Sequence, residues 1–200
     1  MRKNLFVLGL FLLFISSSPA FSATDYDFFG TMDYHNDVLQ FNFGVSTSGT
    51  RTFFSSSWDE GNFDPMLGLW SSSGDLINFQ DDGGNVGSTL SNGVFYTHGE
   101  WDSYYNVFLE PGNYILTLTT YNNFNVGDTL SQGFQLDGED PIFVTEWEQP
   151  ANGLRNNSWA FHILNVDEAT GPGPSVPEPG TALLLGAGIL GMLYSSRRRN

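Results

Sequence analysis

A chain of 200 residues with 22 carboxylates, seven basic side chains and a net charge of −15 excludes nucleic acid and anionic lipid as partners, because phosphate binding rests on Lys and Arg. It has no cysteine, so neither disulfides nor thiol chemistry are available and stability must come from a packed core. Eighteen Phe, eight Tyr and five Trp supply large side chains for that core, and low Lys with abundant Gly, Asn, Ser and Thr favours short strands and tight turns over helices.

At the N-terminus, Arg2 and Lys3 precede an apolar stretch over residues 5–15 and a small-residue stretch over 16–23. This order reads as a signal peptide of residues 1–22, with signal peptidase cutting after Ser22 because Ala20 then stands three positions before the cut. An uncleaved signal anchor is the alternative. The body is expected to span residues 23–168 as one domain. Residues 25–32 form its first predicted strand, followed by a turn at His35-Asn36-Asp37. From Leu39 the chain alternates: Leu39, Phe41, Phe43 and Val45 point one way and Gln40, Asn42 and Gly44 the other, the mark of a strand with one buried face.

A β-prone run over 52–57 leads into the loop 58–65, which carries Asp59, Glu60 and Asp64 among Gly, Asn and Pro. Predicted strands at 66–70 and 76–79 are joined by the hairpin-length turn Ser71-Ser72-Ser73-Gly74, and Asp81-Asp82 opens a second acidic loop. A strand is expected at 94–97. Residues 104–109 and 114–121 are predicted to form a hairpin through Glu110-Pro111-Gly112-Asn113, with Pro presetting φ and Gly accepting the positive φ of a type II turn. Residues 122–133 read as a polar loop, strands are predicted at 134–136, 142–147 and 159–166, and 169–175 as a Gly/Pro linker. The expected fold is all-β: a single jelly-roll-like β-sandwich, flanked by an N-terminal signal helix and a C-terminal transmembrane helix.

The last segment, residues 176–200, runs Val176-Pro177-Glu178-Pro179, an uncharged apolar stretch to Tyr194, and Arg197-Arg198-Arg199. The prolines hold an extended segment that a processing enzyme can read, and the arginines favour the cytoplasmic face. Residues 180–196 reach about 25 Å as a helix, against a hydrocarbon core of about 30 Å, a gap that thinning or snorkelling arginines cover. An ordinary C-terminal membrane helix is the alternative. Five of the seven basic residues lie in the two ends, leaving Arg51 and Arg155 in a body of about −20; such excess charge is usually a solubility device and also offers hard oxygen ligands to divalent cations.

The triplet Pro177-Glu178-Pro179, the helix and the terminal arginines together resemble the PEP-CTERM sorting signal of Gram-negative bacteria. The resemblance implies export through the inner membrane, transient anchoring, cleavage near the triplet by an exosortase, and delivery of the body to the cell surface, the extracellular matrix or its exopolysaccharide. Within the body, Asp37-x-x-x-Phe41, Gly61-Asn62-Phe63-Asp64-Pro65-x-Leu67-x-Leu69, Asp81-Asp82 and Leu109-x-x-Gly112-x-Tyr114 resemble the bacterial pre-peptidase C-terminal domain over residues 28–120. Relatives of that domain include calcium binders.

Calcium is the sharpest site expectation. The two acidic loops flank one predicted hairpin and so lie at one end of a sandwich, where Asp59, Asn62, Asp64, Asp81 and Asp82 are the candidate ligands. Neither loop fits an EF-hand, and solvated turn carboxylates are the alternative; no cofactor is otherwise required. Catalysis finds little support: His35, His98 and His162 have no zinc spacing, no G-x-S-x-G elbow occurs, and paired carboxylates for glycoside hydrolysis are a three-dimensional matter. Trp58, Trp70, Trp101 and Trp147 lie in or beside predicted loops, where flat rings stack on sugars, although most such rings pack in cores. The expectation is a non-enzymatic surface protein that binds matrix or polysaccharide with calcium, against the alternative of a secreted carbohydrate-active hydrolase.

Overall fold

The computed structural model describes residues 23–172, so the expected signal peptide, the sorting segment and the last three residues of the linker lie outside the described residues. The described residues form thirteen strands: β1 Thr24–Thr31, β2 Leu39–Val45, β3 Gly49–Ser55, β4 Pro65–Ser71, β5 Leu76–Gln80, β6 Gly87–Ser91, β7 Val94–His98, β8 Tyr104–Leu109, β9 Gly112–Thr120, β10 Glu148–Gln149, β11 Gly153–Leu154, β12 Ser158–Val166 and β13 Glu168–Thr170. Two antiparallel sheets, ordered β1-β12-β3-β8 and β13-β2-β9-β4-β5, pack face to face, and β6–β7 and β10–β11 form two-stranded ribbons. Among the described residues no helix is long and apolar enough to cross a membrane.

The core follows from the period-two pattern. Phe41 and Phe43 of β2 meet Phe161 and Phe53 of the opposite sheet at ring-centroid distances of 4.8 and 5.3 Å, and Phe28, Leu67, Leu69, Leu116, Leu118 and Ile163 belong to the same buried cluster. Aromatic side chains dominate because each buries a large area and takes edge-on or tilted contacts with its neighbours.

Both sheets are also covered on the outside. The β6–β7 hairpin lays Tyr96 and His98 against His162 and Phe54, and the loop after β9 sets Phe134 on Trp70 and Phe124 on Phe79. This explains why Met66 and Trp70, on the face of β4 opposite Leu67 and Leu69, are as buried as the core residues. Trp70 is therefore no sugar platform; its indole N–H donates to Thr117 Oγ1 at 3.0 Å. Gly68 leaves room for that pair, since a Cβ there would lie 2.5 Å from Thr117 Oγ1 and 2.9 Å from Trp70 Nε1. Gly68→Ala is expected to cost about 1–3 kcal/mol by overpacking, read as a lowered urea midpoint with unchanged slope.

Several sequence expectations need correction. Strands β8 and β9 do not pair: β8 joins β3 and β9 lies between β2 and β4. The Glu110-Pro111 turn thus carries the chain across the core from one sheet to the other, and Gly112 opens β9 opposite Val45, outside the positive-φ region. Residues 134–136 and 142–147 form no strands, only the single bridges Asn125↔Phe134 and Tyr34↔Phe143, because residues 121–147 pack as turns against completed sheets. Strand β6, the partner of the expected strand at 94–97, turns through Asn92-Gly93, both at positive φ, as a tight hairpin requires. The body also runs past residue 168: β13 pairs with β2, and Ala169 is buried in the core.

Candidate metal centre

The β4–β5 hairpin decides where the acidic loops go. Its register pairs Leu67 with Gln80, so Asp64, just before β4, and Asp81 and Asp82, just after β5, reach the same end of the sandwich. Their carboxylates offer oxygens that lie within 4.8 Å of one another. Asp64 is 2% exposed, and Asp81 and Asp82 are half-buried. One oxygen of each, Asp64 Oδ1, Asp81 Oδ1 and Asp82 Oδ1, is shielded from solvent and accepts no hydrogen bond.

Three convergent carboxylates at this depth oppose one another's ionisation. Burial, followed by the charges of Asp82 and Asp81, pushes the Asp64 carboxyl up to about 8. Burial and then Asp82 push Asp81 to about 6, and burial and then Glu100 raise Asp82. Among the described residues no Lys or Arg stands against them: Arg155 donates to the carbonyls of Asn62 and Trp58, and Arg51 to those of Thr47 and Thr50. Hard oxygens without a counter-cation are the donor set that a hard divalent ion takes.

The surroundings fix these carboxylates in place. Asp64 Oδ2 accepts from Asn152 Nδ2 at 2.9 Å, and its N–H donates to Gln149 Oε1 at 3.2 Å; neither partner is recognisable from a spacing along the chain. The Ser103 hydroxyl lies within reach of the carbonyls of Pro65, Gln80 and Asp81, tying both acidic loops to the start of β8. The other two candidate ligands stand apart. Asn62 spends its amide on the carbonyl of Ser57 at 3.0 Å, and Asp59, turned outward in the short 3-10 turn Trp58–Glu60, leans against Gly99.

Asp102 organises the loops next door. Its Oδ1 accepts from Ser55 Oγ, Ser57 N and Trp58 N at 2.8, 3.1 and 3.3 Å, and its Oδ2 from Gly99 N at 2.9 Å. Two loops distant in sequence are thereby held side by side. They place Trp58 and Trp101 with ring centroids 6.0 Å apart, whereas Trp147 packs on His35 at 5.0 Å.

A second polar line crosses the four-stranded sheet. Strand register sets Asp27 opposite His162; His162 Nδ1 lies 2.7 Å from Asp27 Oδ1, and its Nε2 lies 2.8 Å from Ser56 Oγ. Burial alone would raise Asp27, but hydrogen bonds from His162, Ser91 and Asn92 leave it lowered. Burial lowers His162. The order is that of an acid, a base and a hydroxyl, yet the two N–H groups that follow Ser56 are committed to Asp102 rather than placed to receive an oxyanion. Through Ser91 and Asn92 the line acts as a strut binding the β6–β7 hairpin to the sheet.

Comparison with known proteins places the tail and not the body. No curated protein matches the chain. Residues 175–199 match the family described as the PEP-CTERM protein-sorting motif. The chain therefore carries a sorting motif that implies export and membrane-associated sorting in a Gram-negative bacterium, with an exosortase as its processing partner.

Proposed function

We propose that this is a non-enzymatic surface or extracellular-matrix protein that binds matrix polysaccharide and holds calcium at the end of its body. The sorting motif at residues 175–199 is the observation that carries the reading. In it, residues 1–22 are removed by signal peptidase, residues 180–196 anchor the chain in the membrane, and exosortase cuts at Val176-Pro177-Glu178-Pro179, so that the basic tail Arg197-Arg198-Arg199 stays behind.

The body is read as a jelly roll related to the pre-peptidase C-terminal domain. The strand orders support this: β1-β12-β3-β8 faces β2-β9-β4-β5, the alternation between sheets that two interlocked Greek keys produce. Calcium at Asp64, Asp81 and Asp82 is supported by their three shielded carboxylate oxygens that accept no hydrogen bond. Asp59 and Asn62 are left out of the ligand set.

Intact-mass spectrometry of the protein recovered from its host tests the sorting route. The expected mature chain starts at Ala23 and ends within residues 176–179, and a host lacking exosortase yields a chain that keeps its tail. A full-length chain dissolved in the cytosol would overturn the reading.

A further inference from the structure

The aromatic corner beside the metal centre has a chemistry of its own. Trp101 is 37% exposed and Trp58 half-buried; their rings meet at 56°, which makes an open angle rather than a closed stack. The Arg155 guanidinium lies 3.6 Å from the Trp58 ring centre and donates to the carbonyls of Asn62 and Trp58. One face of Trp58 is thus covered and its ring held still. Asp59 and Glu60 follow Trp58, Glu100 precedes Trp101, and all three carboxylates are exposed. Asp59 lies close against the second loop, since a Cβ on Gly99 would come within 2.7 Å of its Oδ1.

None of these three carboxylates takes part in an ion pair with Arg155, whose Nε and Nη2 donate to main-chain carbonyls. The corner therefore offers indole surface ringed by negative charge that the described residues do not neutralise. Indole faces attract cations through the ring quadrupole and take the apolar faces of sugar rings. A neutral sugar would use the rings and leave the carboxylates without a counter-charge, and a bare metal ion would use the carboxylates and leave the rings bare. An amino sugar, with a pyranose face and an ammonium group, uses both. The buried Asp102 holds the two loops together before any ligand arrives, which lowers the ordering cost of binding.

We propose that Trp58 and Trp101, with Asp59, Glu60 and Glu100, form a binding site for a cationic amino-polysaccharide, a polymer carrying free amino sugars such as glucosamine. This rests on the polysaccharide-binding reading and names its site and sugar class.

The test uses the mature protein saturated with calcium, so that the metal centre contributes equally throughout. Titration calorimetry compares the glucosamine hexamer with the N-acetylglucosamine hexamer, a neutral glucose hexamer and hexalysine. The glucosamine hexamer is expected to bind more tightly than both uncharged hexamers. Trp101→Ala is expected to weaken it at least tenfold and hexalysine binding far less, since only the sugar also loses its stacking face, and Asp59→Asn with Glu100→Gln to weaken it severalfold and to flatten its salt dependence. Melting curves confirm that each variant is folded; Trp101→Phe, which keeps a ring, should retain most of the affinity. If Trp101→Ala leaves the glucosamine affinity unchanged, overall charge alone explains binding and the site is overturned. Equal affinity for all three sugars overturns the amino-sugar assignment and leaves polysaccharide binding standing, whereas affinity for none of them overturns the site.

Discussion

Calcium at about one hundred times its dissociation constant is expected to raise the melting temperature of the mature protein by about 5–10 °C at pH 8, and by little at pH 5. The reason lies in the three carboxylates of Asp64, Asp81 and Asp82, whose ligand oxygens lie within 4.8 Å of one another. Asp64 is pushed up to about 8 in the folded chain against an ordinary 3.8, so between those values the folded state holds a proton that the unfolded state has released. Without calcium, this group's contribution to stability is therefore greatest below pH 4 and falls as pH rises toward 8. Bound calcium should reverse that trend by replacing the proton, and should bind best where Asp64 and Asp81 are already ionised. Asp64→Asn should abolish the calcium shift. In calcium-free buffer at pH 8 the same variant should melt no lower than the parent, because the amide removes a buried repulsion. Opposite outcomes with and without the ion separate a ligand from a merely structural acid. A calcium titration at pH 8 that yields neither heat nor a change in melting temperature would remove the metal centre.

How much of this centre was legible in the sequence depended on which contacts were local. The alternation from Leu39 to Val45 marked the core face of β2, where Phe41 and Phe43 are buried. The short turn at Ser71 to Gly74 implied the β4–β5 hairpin, and with it the meeting of Asp64 with Asp81 and Asp82. Asp59 could not be placed from the same pattern, because a single turn of 3-10 helix after Ser57 rotates it away from its neighbour Asp64. The turn Glu110-Pro111 was visible as chemistry but silent about partners: a chain reversal looks alike in sequence whether the next strand pairs with the last or faces it across a core. Asn92-Gly93, which the sequence reading passed over, is a local hairpin signal and joins β6 to β7. The contacts of Asp27 with His162 and of Asp64 with Asn152 span 135 and 88 residues, and only strand register or loop packing brings such pairs together.

Asp102→Ala is expected to destabilise the protein by about 3–5 kcal/mol, a large loss for a single substitution. Asp102 is 1% exposed and accepts from Ser55 Oγ and from the N–H groups of Ser57, Trp58 and Gly99. Removing it strands donors that water reaches poorly, and each buried donor left without a partner costs about 1–3 kcal/mol, less when several relax together. Asp102→Asn should cost less, about 1–3 kcal/mol, because one oxygen can keep the three contacts made by Oδ1 while an amide N–H then opposes that of Gly99. Urea unfolding gives both values. The functional consequence should exceed the local one. Asp102 joins the Trp58 loop to the Trp101 loop, and its neighbour Ser103 reaches the carbonyls of Pro65, Gln80 and Asp81, so its loss should loosen the aromatic corner and the proposed calcium site together. Weaker calcium binding and altered tryptophan fluorescence in folded Asp102→Asn would report that coupling. A cost below about 1 kcal/mol for Asp102→Ala would mean that water satisfies those donors, and that the two sites are held in place by something other than this carboxylate.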